Sequence, residues 1–393
     1  PKGLHVMFTE NNLEGMIIFN FQRLNIPQDQ FKNNDLLLEY KILGSNNFLT
    51  KKINLQNLDN LDNAKLDSEL NSIKNNYKNM KFFEIDQANK KIFIKQGSWK
   101  IDRPIILPNG YSLFAKDGTE LEFINKSYIV MSGKITFIGT KKNPVKLKSK
   151  DQSGSILVRN AKEVSTFQNV IFSNLKLKDF PYLGLTGNIT FYNSPVKISD
   201  SAFLDLYGED SLNVIGSTLI LENSYFSGSF SDALDLDFVK ANIKNVYFDN
   251  IGNDAIDISG SEVKAKNIFI SGAQDKGISV GEKSNLFLSG IKISSSNIAF
   301  ASKDLSLILL EKVDLKDNNL CFTAFKKKDE YGPGIIKILD NSVDEKKLKF
   351  ECKKSYLLES ESEIKNRDYS FEINTLKVYD QLYGNKFGKE TIR

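Results

Sequence analysis

The sequence contains few of the residues that build thiol and metal sites. Among 393 residues there are one histidine and two cysteines, Cys321 and Cys352. Two cysteines indicate neither a disulfide framework nor a metal site, so their state is open at this stage. The single histidine, His5, lies in a strand-like segment and is expected to fill space or lie on the surface. We therefore predict neither a His-dependent catalytic triad nor a zinc site.

Long apolar runs and a strong charge imbalance are also absent. No run of about 18 apolar residues occurs, so no insertion into a membrane is predicted. The 53 basic and 49 acidic side chains leave a net charge of +4, which does not predict a nucleic-acid surface. The chain begins at Pro1 and shows no signal peptide. We expect it to be a piece of a longer protein whose targeting segment or neighbouring domains have been removed.

A 22-residue repeat runs through residues 207–304. Equivalent positions recur at this interval in YGEDSLNVIGS, FSDALDLDFVK, GNDAIDISGSE and QDKGISVGEKS, and they are held by Asp210, Asp232, Asp254 and Lys276. We call these four the slot residues. Each is followed by alternating apolar and small or polar residues, which is the pattern of a short strand. A second apolar column recurs at nearly the same interval, so each repeat holds at least two strands: Phe226, Phe248, Ile270, Ile293 and Leu315.

This repeat predicts an all-β fold built on a right-handed parallel β-helix. A period of about 22 residues with short strands and no helical stretch is typical of a solenoid. The leucine pattern of leucine-rich repeats and the six-residue period of hexapeptide helices are both absent. Equivalent positions stack about 4.8 Å apart in such a fold, so inward apolar residues form columns and outward polar residues form rows. We place the β-helix at residues 93–328.

Smaller units are predicted on both sides of the β-helix. Residues 1–55 contain strand-like runs and form a small β-rich unit, and residues 56–92 form a linker. Residues 329–393 are expected to cap the last coil and to end in a polar tail. Within the linker, four apolar residues recur at helical spacing and predict a helix that covers the open end of the solenoid: Leu66, Leu70, Ile73 and Tyr77.

An insertion interrupts the coils before the regular repeats. GSILVRNA and GNITFYNS resemble equivalent strands, but Asn160 and Asn193 are 33 residues apart. The excess, residues 175–186, predicts a loop that leaves the solenoid and walls a groove beside the slot residues. Phe180 and Tyr182 of this loop would stack on sugar rings. The alternative is that both rings pin the loop to the solenoid.

Stacking would also gather carboxylates on one face. Three residues after the slot, a parallel row contains Asn213, Asp235 and Asp257. Carboxylates about 5 Å apart repel by roughly 1 kcal/mol in water and by more where solvent is excluded. A raised pKa, a calcium ion at Asp235 and Asp257, or ion pairs with Lys276 and Lys303 would relieve this repulsion. The alternative is that the aspartates bond backbone N–H groups at repeated turns, which suits the two mid-strand aspartates less well.

The four repeat segments, with IAFASKD after them, resemble the signature stretches of polygalacturonases. Those stretches read Asn-Thr-Asp, Gly-Asp-Asp, Gly-His-Gly and Arg-Ile-Lys on successive coils. The resemblance implies catalytic roles for Asp232, Asp254, Lys276 and Lys303. Beside them, we predict substrate contacts for Asp210, Asn253 and Asp275. Three positions depart from the pattern, because Asn253 replaces an aspartate, Lys276 the histidine and Ala301 the sugar-holding arginine.

Residues 97–336 also resemble the bacterial right-handed β-helix modules that are joined to spore-coat-protein-H-type kinases. GNDAIDISGS, DKGISVGE, ASKD and EYGPG carry this resemblance. It implies an extracellular or cell-surface multidomain protein and assigns no activity to the module. The chain itself contains no kinase signature.

Two functions are therefore predicted. The first is binding and cleavage of an acidic polysaccharide. As a lyase, the chain would use Lys276 to take a proton beside a cation-neutralised uronate; as a hydrolase, it would use Asp254 as acid and Asp232 to position water across a carboxylate gap of about 6.5–9.5 Å. The second is a non-catalytic rod that binds glycan, a protein partner or other domains of the same protein. A groove over the slot residues favours the enzyme, and aspartates bonded to backbone favour the rod.

Overall fold

The structure is a computed structural model that describes residues 4–10, 13–19, 36–41, 48–53, 76–177, 185–328, 331–339 and 349–358. The chain divides into two compact units between Ser72 and Ile73. The described residues form β-strands and one short 3-10 turn at Asn76–Asn79. In this part of the chain, no helix is long and apolar enough to cross a membrane.

The first unit contains two antiparallel strand pairs. Strand β1 (Leu4–Glu10) pairs with β2 (Leu13–Phe19), and β3 (Leu36–Lys41) pairs with β4 (Phe48–Ile53). These strands coincide with the strand-like runs of the sequence. The predicted boundary of this unit at residue 55 stays a prediction.

The second unit contains the other strands in the described residues. In chain order they are β5 (Phe83–Asp86), β6 (Lys91–Ile94), β7 (Gly97–Ile101), β8 (Ile105–Ile106), β9 (Ser112–Lys116), β10 (Thr119–Phe123), β11 (Ile129–Met131), β12 (Ile135–Ile138), β13 (Val145–Ser149), β14 (Ile156–Arg159), β15 (Ser165–Gln168), β16 (Val170–Ser173), β17 (Gly187–Tyr192), β18 (Val196–Ser199), β19 (Ala202–Leu204), β20 (Asp210–Ile215), β21 (Thr218–Glu222), β22 (Tyr225–Ser227), β23 (Asp232–Asp237), β24 (Lys240–Ile251), β25 (Ile256–Ser259), β26 (Glu262–Ala273), β27 (Lys276–Gly281), β28 (Asn285–Ser294), β29 (Ile298–Lys303), β30 (Leu307–Phe325), β31 (Ile335–Ile338) and β32 (Lys349–Leu358).

These strands pair in parallel with their equivalents on the next coil and form three sheets. Sheet A runs through β8, β11, β14, β17, β20, β23, β25, β27, β29 and the end of β30. Sheet B runs from β6 through β9, β12, β15, β18 and β21 to the first halves of the long strands β24, β26, β28 and β30, and ends at β31. Sheet C runs from β7 through β10, β13, β16, β19 and β22 to later parts of the same long strands, and ends at β32. The entry strand β5 differs, because it pairs antiparallel with β6.

The prediction of a parallel β-helix is confirmed. The solenoid has about 10 turns of about 22 residues each. Pairing in sheet A also confirms the register inferred from the repeat, since Asp210 lies opposite Asp232 and Leu212 opposite Leu234. Because equivalent positions of successive coils pair with each other, the 22-residue period alone fixes which residues lie opposite one another in this region.

Columns of identical or similar side chains fill the core. In sheet C the rings of Phe172, Phe203, Phe226 and Phe248 stack one above the other, with centroids 4.7, 4.3 and 5.0 Å apart. All four rings are almost fully buried. Burying one such side chain contributes roughly 1.5–3 kcal/mol, and ring stacking adds to that. The apolar columns of the sequence therefore supply the main stabilisation of the solenoid.

Asparagines hold the turns between sheets B and C. Asn223, Asn245 and Asn267 have φ values of 50°, 55° and 55°, in the left-handed region that Asn tolerates better than most residues. Their side chains form a ladder along the solenoid, because Asn267 Nδ2 donates to Asn245 Oδ1 and Asn245 Nδ2 donates to Asn223 Oδ1, both at 3.0 Å. In this ladder the asparagine side-chain amides form hydrogen bonds with one another instead of with water.

The insertion enters the solenoid at the N-terminal edge of sheet A. Arg159 pairs with Tyr192 across β14 and β17, which confirms that the two segments 33 residues apart are equivalent. At the described ends of the loop, Tyr207 N–H donates to Leu175 O and Asp210 N–H donates to Thr186 O, at 2.8 and 3.2 Å. The insertion is thus tied to the turn that carries the first slot residue.

Two sequence predictions fall wholly or partly outside the described residues. Phe180 and Tyr182 belong to residues 178–184, which are outside them. The same holds for most of the predicted capping helix, which spans residues 63–77. Of its apolar stripe only Tyr77 is described; it lies in the 3-10 turn and is buried against the first coil.

A disulfide joins the two cysteines. Cys321 in β30 and Cys352 in β32 are linked, with their Cα atoms 5.7 Å apart. Cys321 is buried and Cys352 packs against the same core. The bond therefore fastens the C-terminal strand to the last coil of the solenoid, a role that the sequence left open.

Replacing both cysteines with alanine is expected to lower the free energy of unfolding by about 2–4 kcal/mol. The bond closes a loop across a sequence separation of 31 residues, so its loss enlarges the unfolded ensemble. Reducing the bond in the native protein should have the same effect, which chemical denaturation with and without a thiol reductant measures as a difference in the free energy of unfolding. Cys321→Ala/Cys352→Ala is the control, because reductant must leave its midpoint unchanged. Equal midpoints for the native protein in both conditions would contradict the prediction.

Candidate functional site

The slot residues lie at the N-terminal edge of sheet A and are buried. Asp210, Asp232 and Lys276 begin β20, β23 and β27, and Asp254 lies two residues before β25. Their exposures are 0%, 1%, 3% and 3% in slot order, so none of them is a surface residue. A buried charge must be compensated by ion pairs or hydrogen bonds. The contacts around the slot supply both.

The slot aspartates bond the backbone of the following coil. Asp232 Oδ1 accepts the N–H of Asp254 at 2.9 Å and the Nδ2 group of Asn253 at 2.6 Å. Asp254 Oδ1 in turn accepts the N–H of Lys276 at 2.9 Å. Each carboxylate thus links its own coil to the next one by hydrogen bonds. This bonding matches the structural alternative for these two residues, and their catalytic assignment stays a prediction.

Lys276 completes the slot as a buried cation between two carboxylates. Its Nζ contacts Asp254 Oδ1 at 3.4 Å and also pairs with Asp275. The side chains of all three are less than a tenth exposed. Burial raises the pKa of Asp254 to about 6, although Lys276 acts in the opposite direction. Without that ammonium group the carboxylate would be harder still to ionise.

The second polar row reaches solvent. Asn213, Asp235, Asp257 and Ser279 lie opposite one another on β20, β23, β25 and β27. Asn213 and Ser279 are buried, whereas Asp235 and Asp257 are half-buried, with about a fifth of the Asp257 side chain exposed. Asn213 Nδ2 donates to Asp235 Oδ2 at 3.0 Å. We call this set the outer row.

The two outer-row carboxylates differ in acidity. Burial raises the pKa of Asp235 well above its ordinary value, and the carboxylates of Asp210, Asp237 and Asp257 add to the effect. Burial also disfavours the charged form of Asp257, but Lys303 and Lys276 outweigh it and hold the pKa of Asp257 below its ordinary value. Of the two, Asp235 therefore keeps a proton more readily and Asp257 ionises more readily.

Lysines dominate the next coils of the same face. Lys303 Nζ lies 3.7 Å from Asp257 Oδ1, and Lys328 Nζ lies 2.7 Å from Glu282 Oε1. Burial lowers the pKa of Lys327, and the Lys303 ammonium group lowers it further. Sheet A thus carries an acidic half, on β20 to β25, followed by a basic half. We call the outer row together with this basic half the Asp/Lys face.

A buried aspartate shapes the basic half. Asp304 is fully buried, and its Oδ1 accepts the backbone N–H groups of Lys327 and Lys328 at 2.7 and 2.8 Å. These bonds fix the turn that places Lys328 on Glu282. None of these four residues was predicted from the sequence to be a site residue. The signal was available, since 22 residues after Lys303–Asp304 the period arrives at the start of the run Lys326–Lys328.

The structure brings most of the predicted site residues together. The buried members of this cluster are Asp210, Asp232, Asn253, Asp254, Asp275, Lys276 and Lys303, and the half-buried members are Asp235 and Asp257. Ala301, where the resembled family has an arginine, is buried in β29. Within the described ranges no group of three or more metal-binding side chains is arranged around an ion site. Calcium at Asp235 and Asp257 therefore stays a prediction.

The fold and the site define a parallel β-helix protein with a mixed carboxylate and lysine face. No protein-family model and no curated protein matches the sequence. Among solved structures, the chain is similar to the periplasmic alginate epimerase AlgG, at 10% identity and a TM-score of 0.39, over 73% of this chain and 81% of that one. It is also similar to the catalytic domain of the D1069A variant of a GH87 alpha-1,3-glucanase in complex with nigerose, at 12% identity and a TM-score of 0.38, over 77% of this chain and 65% of that one. These similarities concern the fold alone.

Proposed function

We propose that this chain is an enzyme that binds and cleaves an acidic polysaccharide at the Asp/Lys face. One observation carries the proposal. Asp235 and Asp257 lie opposite each other on adjacent coils, reach solvent, and have pKa values moved in opposite directions. Carboxyl groups whose surroundings separate their acidities are the usual acid and base of glycoside hydrolysis.

The roles follow from the charge of each group. Asp235, whose pKa is raised, would give a proton to the glycosidic oxygen as the bond to the anomeric carbon breaks. Asp257, whose pKa is lowered, would form a bond to the anomeric carbon. Water activated by Asp235 would then release the sugar and restore both groups. Neighbouring coils are about 4.8 Å apart, close to the roughly 5–5.5 Å carboxyl separation of retaining enzymes.

The basic half of the face accounts for an acidic substrate. Lys303 and Lys327 lie near Asp257, although they belong to the coils two and three beyond it. A sugar carboxylate bound there would offset the repulsion between these ammonium groups. The glycosidic bond on its neighbouring unit would then lie over the acidic half.

A second candidate is the non-catalytic rod. It is favoured by the slot itself, where Asp232 and Asp254 accept backbone N–H groups as structural residues do. In that case the Asp/Lys face would bind an acidic glycan or another domain of the same protein without changing it.

A substrate panel tests the proposal. We expect new reducing ends from at least one uronate-containing polysaccharide, no release from neutral glucans, and retention of anomeric configuration by NMR. Asp314→Asn is the matched control, because Asp314 is a half-buried aspartate of sheet C, paired with Lys292 away from the Asp/Lys face, and its replacement should not affect release. Unsaturated products would show that the enzyme is a lyase and not a hydrolase. Absence of product from the whole panel, with and without calcium, would leave the rod.

We also propose that the protein works in an oxidising compartment, at the cell surface or outside the cell. The disulfide between Cys321 and Cys352 supports this location, because such bonds persist there and are rare in the reducing cytosol.

A further inference from the structure

A groove lies on a different face of the solenoid, on the outer side of sheet B. It has a volume of about 420 Å³ and crosses β24, β26, β28 and β30. Its lining includes Lys240, Asn242, Lys264, Asn285, Phe287 and Leu309. Four coils in register span about 14 Å, which is enough for a short run of linked sugars. None of these residues belongs to the Asp/Lys face.

The groove changes character along the solenoid. Asn242, Lys264, Phe287 and Leu309 follow one another in a single outward row. The preceding coils carry Thr166, Lys197 and the exposed Ile220 in this row. Phe287 is the aromatic ring that this row contributes to the groove, and it leaves 36% of its surface exposed. An aromatic ring beside aliphatic floor and side-chain amides is the composition that binds the C–H faces and hydroxyls of a sugar.

Basic side chains outnumber acidic ones beside this floor. Lys240, Lys264 and Glu262 line the groove, and Lys244 and Lys266 flank it on the same coils. Among the described residues, only Lys240 of these four lysines has a carboxylate within ion-pair distance, Glu262 at 3.3 Å. Lys244 lies directly opposite Lys266. Like charges in opposite positions destabilise a sheet, and Glu222, opposite Lys244 on the preceding coil, offsets this repulsion on that side only.

From these observations we infer that the sheet B groove is a second polysaccharide-binding site, which holds a uronate-containing chain. The four lysines would meet its carboxylates, and Phe287 would contact its ring faces. The inference rests on the proposed function for the class of glycan, but it concerns binding and needs no turnover. A site on this face would keep a long polymer on the protein while another stretch of it lies on sheet A.

Binding of a short oligogalacturonate, measured by calorimetry at low salt, tests the inference. We expect Phe287→Ala and Lys264→Ala each to weaken binding about tenfold, a loss typical of a residue central to an interface. Lys197→Ala is the matched control, since Lys197 is exposed in the same row of sheet B but outside the groove, and its affinity should equal that of the native protein. Melting temperatures check that each variant is folded.

The outcomes separate this inference from the proposed function. Weaker binding in both groove variants supports the second site even where no polysaccharide is cleaved. Unchanged binding in both variants overturns it even where cleavage is observed. An equal loss in Lys197→Ala would indicate attraction by overall charge and would also overturn it. Tighter binding of a single-stranded oligonucleotide of matched charge would reject polysaccharide as the occupant.

Discussion

Asp235→Asn is expected to lower polysaccharide turnover by about 10²–10⁴-fold without destabilising the protein. Loss of a positioned general acid has an effect of this size. Asparagine has nearly the shape of a protonated aspartate, and burial already favours the neutral form of Asp235. The substitution therefore removes the proton donor while it relieves repulsion among the neighbouring carboxylates.

Stability and activity should therefore change independently. The raised pKa of Asp235 means that the folded protein holds a proton which the unfolded chain releases. Raising the pH through that interval costs stability in the native protein and costs none in Asp235→Asn. At neutral pH we expect the variant to melt at the same temperature as the native protein or higher. A large drop in melting temperature would show that Asp235 is a structural residue.

The pH profile gives a further check on the same pair. In the proposed mechanism, turnover needs Asp257 ionised and Asp235 protonated. Because the pKa of Asp257 is lowered and that of Asp235 is raised, activity should persist from acidic pH upward and fall as the pH passes the pKa of Asp235. Asp235→Asn should abolish that alkaline decline in its residual activity, whereas Asp314→Asn should keep it. A decline that survives in Asp235→Asn would assign the titration to another group.

The alternation of apolar and polar residues in the sequence also indicates which aspartates face solvent. In DALDLD, Leu234 and Leu236 point inward, so Asp232 lies on their side of the strand and Asp235 on the opposite side. The structure buries Asp232 and leaves Asp235 half-buried, as that parity requires. The catalytic assignment of Asp232 came instead from the resemblance to polygalacturonases. Because alternate side chains of a strand face the core and the surface, this alternation determines which aspartates are accessible to a substrate.

Other features could not be predicted, because they do not follow the period. Cys321 and Cys352 are separated by 31 residues, and β32 meets β30 with a register shift between Lys316 and Asn318. No repeat in the sequence fixes that pairing. The acidity of Asp257 was equally out of reach. It depends on Lys303, whose backbone lies two coils further along the solenoid, at the end of β29. Only its long side chain brings the ammonium group to Asp257.

Lys276→Ala is expected to lower the free energy of unfolding by about 3–5 kcal/mol at neutral pH. The substitution leaves the carboxylates of Asp254 and Asp275 buried without the ammonium group that pairs with both. Removing one partner of a buried ion pair is costly for this reason. Lys292→Ala is the control, because Lys292 is an exposed lysine 3.6 Å from Asp314 and such surface pairs contribute about 0–1 kcal/mol.

The pH dependence of this loss distinguishes an electrostatic cause from a simple cavity. The pKa of Asp254 is already raised to about 6, and removal of Lys276 should raise it further. A raised carboxyl pKa costs stability as the pH rises and costs none once the group is protonated in both states. Chemical denaturation of Lys276→Ala should therefore show a smaller deficit under acidic conditions than at neutral pH, and Asp254→Asn should restore part of it. A deficit independent of pH would indicate a cavity. Full stability combined with loss of turnover would instead return Lys276 to the catalytic role implied by the histidine of polygalacturonases.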